Sequence, residues 1–271
     1  MSGGPIGPES EAAEPLALVL GSIIQELRTE IGLKQEEAAV ALGVSLSAYS
    51  KWEEGSRTPA IKNIEKLCRV FQADDWRSRK LMSLASSGVK ISVGTWPPEL
   101  SEEDKDVLDN MGFPAIYRKL PEYEIIRAND AWLRVYPMFA PAPEDSPRPA
   151  NMIELLFTDW RSRVVFVDWD MVAWRATYMM RLWSRGIARA RLEEIQNACS
   201  AVAPEFERMW EKTPPKSHFA TNRISVRDVV NTNKITHWTL CSWFNNYPPR
   251  PYEILASPPR SPKLIDDELN P

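Results

Sequence analysis

Three glycines limit what the first part of this chain can become. Gly32, Gly43 and Gly55 interrupt a run that otherwise favours helix, so the helices between them are restricted to two or three turns. Ile23, Ile24, Leu27 and Ile31 recur at helical spacing and give a first helix one apolar face. Gly32 suits its C-cap in the left-handed conformation. A second helix over 35–42 turns Ala38, Ala39 and Leu42 inward before Gly43 breaks it. Ser45 is a good N-cap for a third helix that runs through Trp52 and Glu53 and stops at Gly55. Thr58 and Pro59 lead into a fourth over 61–71, and a fifth spans 74–84. The pattern predicts an all-α bundle of five helices over 16–87.

The ordered set Arg28, Gly32-Leu33, Gln35, Ala39, Gly43-Val44-Ser45, Tyr49, Trp52-Glu53-Glu54-Gly55 and Thr58-Pro59 resembles the Xre/Cro-type helix-turn-helix family, which includes the lambdoid phage repressors. In such a module the second of two short helices enters the major groove while the first crosses the backbone, so the resemblance implies duplex DNA as a partner. Carried over residue by residue, it implies phosphate contacts from Gln35 and from Ser45. It also implies base-edge contacts from Leu46, Ser47 and Lys51, and a backbone contact from Arg57. Lys51 can donate to guanine O6 and N7, Ser47 can bond several bases, and Leu46 can pack on a thymine methyl. None of these three side chains offers a sharp bidentate contact, so no operator sequence follows. Arg28 and Glu53 are either the buried ion pair that ties the first helix to the third in such repressors, or exposed and solvated charges.

The whole chain carries a formal charge of −4. Glu36, Glu37, Glu53 and Glu54 offset Lys34, Lys51, Arg57 and Lys62, so the first ninety residues lack the basic footprint common in DNA-binding domains. Weak affinity for a single site follows, with a homodimer engaging several half-sites to make up the difference. No run of eighteen apolar residues exists to form a membrane span. The first fifteen residues read as a flexible leader without the basic start and apolar core of a signal peptide. Cys68, Cys199 and Cys241 are widely spaced with no CxxC pair, which points to a reducing cytoplasm and against structural zinc.

After a linker over 88–100 the pattern changes. Ser101 caps an acidic helix, two short strands follow over 115–118 and 123–127, and 140–150 is a proline-rich loop. The clearest helix begins near Asp168, with Trp169, Val172, Ala173, Ala176, Met179, Met180, Trp183 and Ile187 on one stripe. Alternating β-branched and aromatic residues over 217–230 and 235–244 read as a hairpin around Asn231–Lys234, with a last strand over 252–255. Strands, helices and strands again predict an α+β domain over 101–257, an antiparallel sheet with a helical cover on the plan of PAS-type sensors, followed by a polar tail over 258–271.

The run Asn151-Met-Ile-Glu-Leu-Leu-Phe-Thr-Asp159, then Trp169 with Val172-Ala173, then Pro204-Glu205-Phe206 and Trp210, is similar to the MmyB-like regulators. These join an Xre-type DNA-binding domain to a PAS-like one. The chain departs from their pattern at Glu154, where an Arg is common. The resemblance implies a small apolar ligand, with a fatty acid the leading candidate, and no other cofactor.

An apolar tunnel for such a molecule can draw on Trp132, Tyr136, Leu156, Phe157, Trp169, Met179, Met180 and Trp183, with Arg175, Arg181 or Arg185 to hold a carboxylate. The same residues can equally form a filled core. The C-terminal domain would then be a ligand-free dimerisation or protein-interaction module. Enzymatic motifs such as GxSxG, HExxH or a P-loop are missing from the sequence, and a catalytic role is not expected. His218 and His237 are the only histidines and hence the only ones able to ligate haem, though a hydrogen-bonded structural histidine is the default reading of His237.

Overall fold

A computed structural model describes residues 15–86, 98–246 and 249–260. The chain divides into two units at Gly88/Val89, and each is described by itself.

The first unit is a bundle of α1 (Pro15–Glu30), α2 (Gln35–Leu42), α3 (Leu46–Glu54), α4 (Ile61–Val70) and α5 (Asp75–Ser86). Its core joins Val19, Leu20, Ile23, Ile24 and Leu27 of α1 to Tyr49 and Trp52 of α3 and to Ile64, Leu67, Phe71 and Leu81. Ile31 does not complete the apolar face expected of it. The helix ends at Glu30, the chain folds back through hydrogen bonds from Gly32 N to Thr29 O and Leu33 N to Arg28 O, and Ile31 is turned outward. Val19 and Leu20, a turn earlier, take its place.

Two glycines let α1 meet α3 at backbone distance. A Cβ on Gly21 would lie 2.4 Å from the carbonyl oxygen of Glu53, and one on Gly55 would lie 2.8 Å from Leu18 Cα. Gly55 also has φ +75°, the left-handed geometry that closes α3. The charged seam beside this contact is buried. Arg28 Nε donates to Glu53 Oε1 at 2.6 Å and Nη2 to Oε2 at 3.1 Å, while Nη1 reaches the carbonyl of Leu33 at 2.7 Å. Of the two readings open for this pair, the buried one is found. A second buried arginine, Arg77 of α5, bridges Glu30 and Asp74, each at 2.7 Å.

The second unit contains α6 (Glu102–Asp109), β1 (Ala115–Lys119), β2 (Glu124–Ala128), α7 (Asp130–Val135), α8 (Met152–Thr158), α9 (Trp160–Val165), α10 (Trp169–Trp183), α11 (Arg189–Val202) and α12 (Glu205–Glu211). These are followed by β3 (Arg223–Arg227), β4 (Ile235–Thr239), β5 (Cys241–Asn246) and β6 (Pro249–Ala256). The fold class is as expected at its coarser level: a helical helix-turn-helix region, then an antiparallel sheet with helices. The sheet differs in detail. Instead of one long hairpin over 217–244, residues Lys216–Phe219 form a 3-10 turn and β3 pairs with β4 in a separate two-stranded sheet. At Leu240, whose N–H donates to Asn222 O, the chain passes into a separate four-stranded sheet of order β2-β1-β6-β5. The last expected strand becomes β6, an interior strand between β1 and β5.

One side chain organises the start of this unit. Asn129 caps α7, accepting from Trp132 N at 2.8 Å and from Ala115 N at 3.1 Å. Its amide nitrogen faces the carbonyls of Leu108, Met111 and Phe113. It is thereby saturated at 3% exposure and pins α6, β1 and α7 together.

The single stripe expected on α10 is not what is buried. Trp174, Tyr178 and Leu182, off that stripe, are buried with Trp169, Ala173, Met180 and Trp183, while Val172, Ala176 and Met179 are only half-buried. The cause is packing on two sides, against α8 on one and α12 with the 3-10 turn on the other. The expected tail is ordered for its first three residues. Thr239 N donates to Pro258 O and Arg260 N to His237 O, while 261–271 lies outside the described residues, as does most of the expected leader and linker.

Candidate functional sites

The outer face of α3 is assembled by its caps. Ser45 sits in extended geometry and its hydroxyl accepts from Ala48 N at 3.2 Å, which fixes where the helix begins. Tyr49, Trp52 and Glu53 are buried on the inner face. Leu46, Ser47 and Lys51 therefore emerge together on the other side, and all three are exposed along with Ser45. Arg57 follows the helix, held by its backbone N–H donating to Lys51 O at 3.1 Å, and its side chain is exposed.

Gln35 is placed differently from the others. Its Nε2 donates to Glu53 Oε2 at 2.6 Å and its Oε1 accepts from Ser50 Oγ at 3.0 Å. The half-buried amide thus braces α2 against α3 and keeps one N–H for an outside partner. Glu53 is the hub, because Tyr49 Oη also donates to it at 2.7 Å. Burial alone would raise its pKa, but the bonds from Arg28, Gln35 and Tyr49 outweigh burial and hold the carboxyl below its ordinary value.

In the second unit, the residues expected to line a tunnel fall into two packed aromatic groups. Trp132 and Tyr136 have ring centroids 4.5 Å apart, and Phe139 and Phe166 join them. Phe157 meets Trp169 edge-on at 5.4 Å and Phe206 at 5.0 Å. Their polar atoms are engaged: Trp132 Nε1 donates to Phe139 O, Tyr136 Oη pairs with Ser257 Oγ, and Trp169 Nε1 donates to Leu156 O. Leu156, Met180 and Trp183 are buried, and Met179 is half-buried.

The candidate arginines differ sharply. Arg181 is committed to the chain after α12, donating to the carbonyls of Trp210 at 2.7 Å and Lys212 at 3.0 Å. Arg185 is exposed. Arg175 is half-buried; its Nη1 donates only to the carbonyl of Thr221, at 3.3 Å, and its guanidinium lies 6.0 Å from the Phe219 ring. No carboxylate among the described residues pairs with it, and desolvation lowers its pKa. On the same helix, the fully buried hydroxyl of Thr177 has no hydrogen-bond partner. Of the two histidines, His237 Nδ1 is tied to Ser225 Oγ at 2.9 Å. His218, in the 3-10 turn, has a buried Nδ1 without a partner.

Two features lay outside the reach of sequence reasoning. Arg191 of α11 reaches Glu124 of β2 and Glu154 of α8, both at 3.1 Å, and Arg148 also pairs with Glu154. The departure at Glu154 is therefore accommodated by two arginines from elsewhere. Burial, reinforced by Glu122, raises the pKa of Glu124 against the opposing pull of Arg191. A cavity of about 660 Å³ opens beside β2, with Leu100, Met111 and Ile126 in its wall and the Asp109–Arg127 ion pair, 2.7 Å, also lining it. None of the residues expected to bind a ligand lines it. Charged pairs that join distant segments leave no periodic signal, and neither do surface hollows.

Comparison with known proteins adds four observations. Residues 24–74 match the helix-turn-helix family model HTH_3, and residues 101–237 match the model of the MmyB-like transcription regulator ligand binding domain. Over 53 residues the chain is 36% identical to the cryptic phage CTXphi transcriptional repressor RstR of Vibrio cholerae, a match covering 20% of this chain and 48% of that repressor. Among solved structures, the restriction-modification controller protein C.AhdI from Aeromonas hydrophila is 32% identical, with a TM-score of 0.22. That match covers 24% of this chain and 94% of that one. Among the described residues, no helix is long and apolar enough to cross a membrane.

Proposed function

This chain belongs to the MmyB-like transcription regulators, with a helix-turn-helix region ahead of the ligand-binding domain, and we propose that it is a homodimeric DNA-binding switch in the cytoplasm whose second domain answers to a fatty acid. Ser45, Leu46, Ser47, Lys51 and Arg57 address the DNA, with Lys51 the donor to a guanine edge and Gln35 reaching a phosphate through its remaining N–H. Homodimerisation supplies the second half-site contact that a charge-balanced head needs.

The ligand reading is carried by Arg175. A desolvated guanidinium with one carbonyl partner and no carboxylate among the described residues is short of an anion. A fatty acid headgroup supplies it, with its chain entering the aromatic and methionine interior around Trp169, Met179 and Met180. Ligand binding then needs only a few kcal/mol of differential affinity between two arrangements to alter DNA binding.

Purified full-length protein extracted with organic solvent should release long-chain acid detectable by mass spectrometry. Adding that acid to stripped protein should change duplex affinity at least several-fold, and Arg175→Gln should abolish the change. No co-purifying acid together with unchanged DNA binding would remove the effector half of the reading.

A second reading has its own support. The Tyr136 phenol and the Trp132 and Trp169 indoles in the two aromatic clusters are already satisfied by the Ser257 hydroxyl and by backbone carbonyls, as in a filled core. On that reading the second domain serves assembly alone, and solvent extraction yields nothing.

A further inference from the structure

The two outer strands of the four-stranded sheet are treated in opposite ways. β2 is guarded. Ile125 N donates to Ala150 O and Met152 N to Tyr123 O, so the loop before α8 covers the beginning of that edge, and the strand carries Glu124 and Arg127. β5 pairs only with β6 among the described residues. Its sequence, Cys-Ser-Trp-Phe-Asn-Asn, contains no charge and no proline. Ser242 is exposed and Trp243 is 40% exposed. Protein sheets ordinarily blunt a free edge with charge, proline or a covering segment, because its unpaired N–H and C=O groups template another strand. Over Cys241–Phe244 β5 carries neither charge nor proline, and among the described residues no strand pairs with its outer edge. The register shift in its pairing with β6 falls only at Phe244/Asn246.

The geometry points to β5 as the surface through which two copies of this chain join, antiparallel and edge to edge, making one eight-stranded sheet across a two-fold axis. The occupant is a second copy because a neutral strand meets itself without like charges opposed. An antiparallel pair of identical strands is also isologous, as a closed dimer requires. Trp243 lies on the same face as Cys241 and Ile254, which pack around Leu108, Tyr117 and Tyr252, so pairing would extend an existing apolar surface across the axis. The strand lies beyond the 101–237 segment that matches the family model.

This inference rests on the homodimer proposed above, and the test separates the two. Light scattering after size exclusion, on full-length protein over a micromolar dilution series, gives the dissociation constant of the wild type, of Trp243→Lys and of Ser242→Lys. Near-ultraviolet circular dichroism checks that each variant is folded. Each folded lysine variant should weaken association at least tenfold, and wild-type amides of Cys241–Phe244 should gain hydrogen-exchange protection as concentration rises. Should one variant misfold, the other decides. A monomeric wild type overturns both the dimer and its surface. A wild-type dimer that survives in the folded variants overturns the β5 surface and leaves the dimer standing.

Discussion

Arg28 and Glu53, twenty-five residues apart, form a two-point ion pair of 2.6 and 3.1 Å in which the carboxylate side chain is 3% exposed. The same carboxylate receives Gln35 and Tyr49, so one side chain joins α1, α2 and α3. Removing it by Glu53→Ala leaves a largely buried guanidinium with no carboxylate and only the Leu33 carbonyl as partner, which typically costs ~3–5 kcal/mol. Chemical denaturation of the full chain should show the transition of the first unit moving to much lower denaturant.

The same group gives this unit an acid limit. Its folded pKa lies below the ordinary 4.5, so the stability it contributes is present above that value and is lost as the pH falls through the folded one. Thermal melts of the first unit should show this contribution constant from neutrality to about pH 5, declining below that. Glu53→Gln should remove this part of the slope while lowering the neutral-pH stability.

On the face proposed to meet DNA, Lys51→Ala should leave stability unchanged, because the side chain is exposed. It should weaken a preferred duplex by ~1–3 kcal/mol more than random sequence. Gln35→Ala should weaken both duplexes alike and also lower stability by about 1 kcal/mol through its lost bond to Glu53. Fluorescence anisotropy on both duplexes, paired with melts, checks this. Equal discrimination by the two variants would contradict the assignment of α3 as the reading helix.

Gly21→Ala should destabilise the first unit by roughly 1–3 kcal/mol although alanine favours helix, because the new methyl group meets the Glu53 carbonyl at 2.4 Å. A rise in its melting temperature would mean that α1 and α3 can separate at little cost.

Asn129→Ala should cost the second unit ~3 kcal/mol or more, since it removes the partner of the Met111 and Phe113 carbonyls and of two N–H groups. Its transition should shift while that of the first unit stays in place.

The first unit was readable because its signals are local. Ser45 is both a predicted and an observed cap, and the three glycines fall at the helix ends. Ile31 misled because periodicity does not register that the backbone turns one residue before the pattern stops. The second unit hides its logic in long-range pairing. Nothing near Leu240 announces that one apolar alternation serves two sheets, and α10 lacks a clean stripe because it is enclosed on two sides. For the proposed DNA contacts the family pattern named the candidate positions, and it could not reveal that Gln35 turns toward Glu53. Arg175 was legible as a cation, but its lack of a carboxylate partner became visible only once the segment 216–221 had folded over it.

Because β1 finds its interior neighbour in β6, Ala115 lies against Ala256 and Ile116 against Leu255. During synthesis the first unit can close as soon as its own helices leave the ribosome, whereas the four-stranded sheet of the second waits for residues 249–256 to emerge.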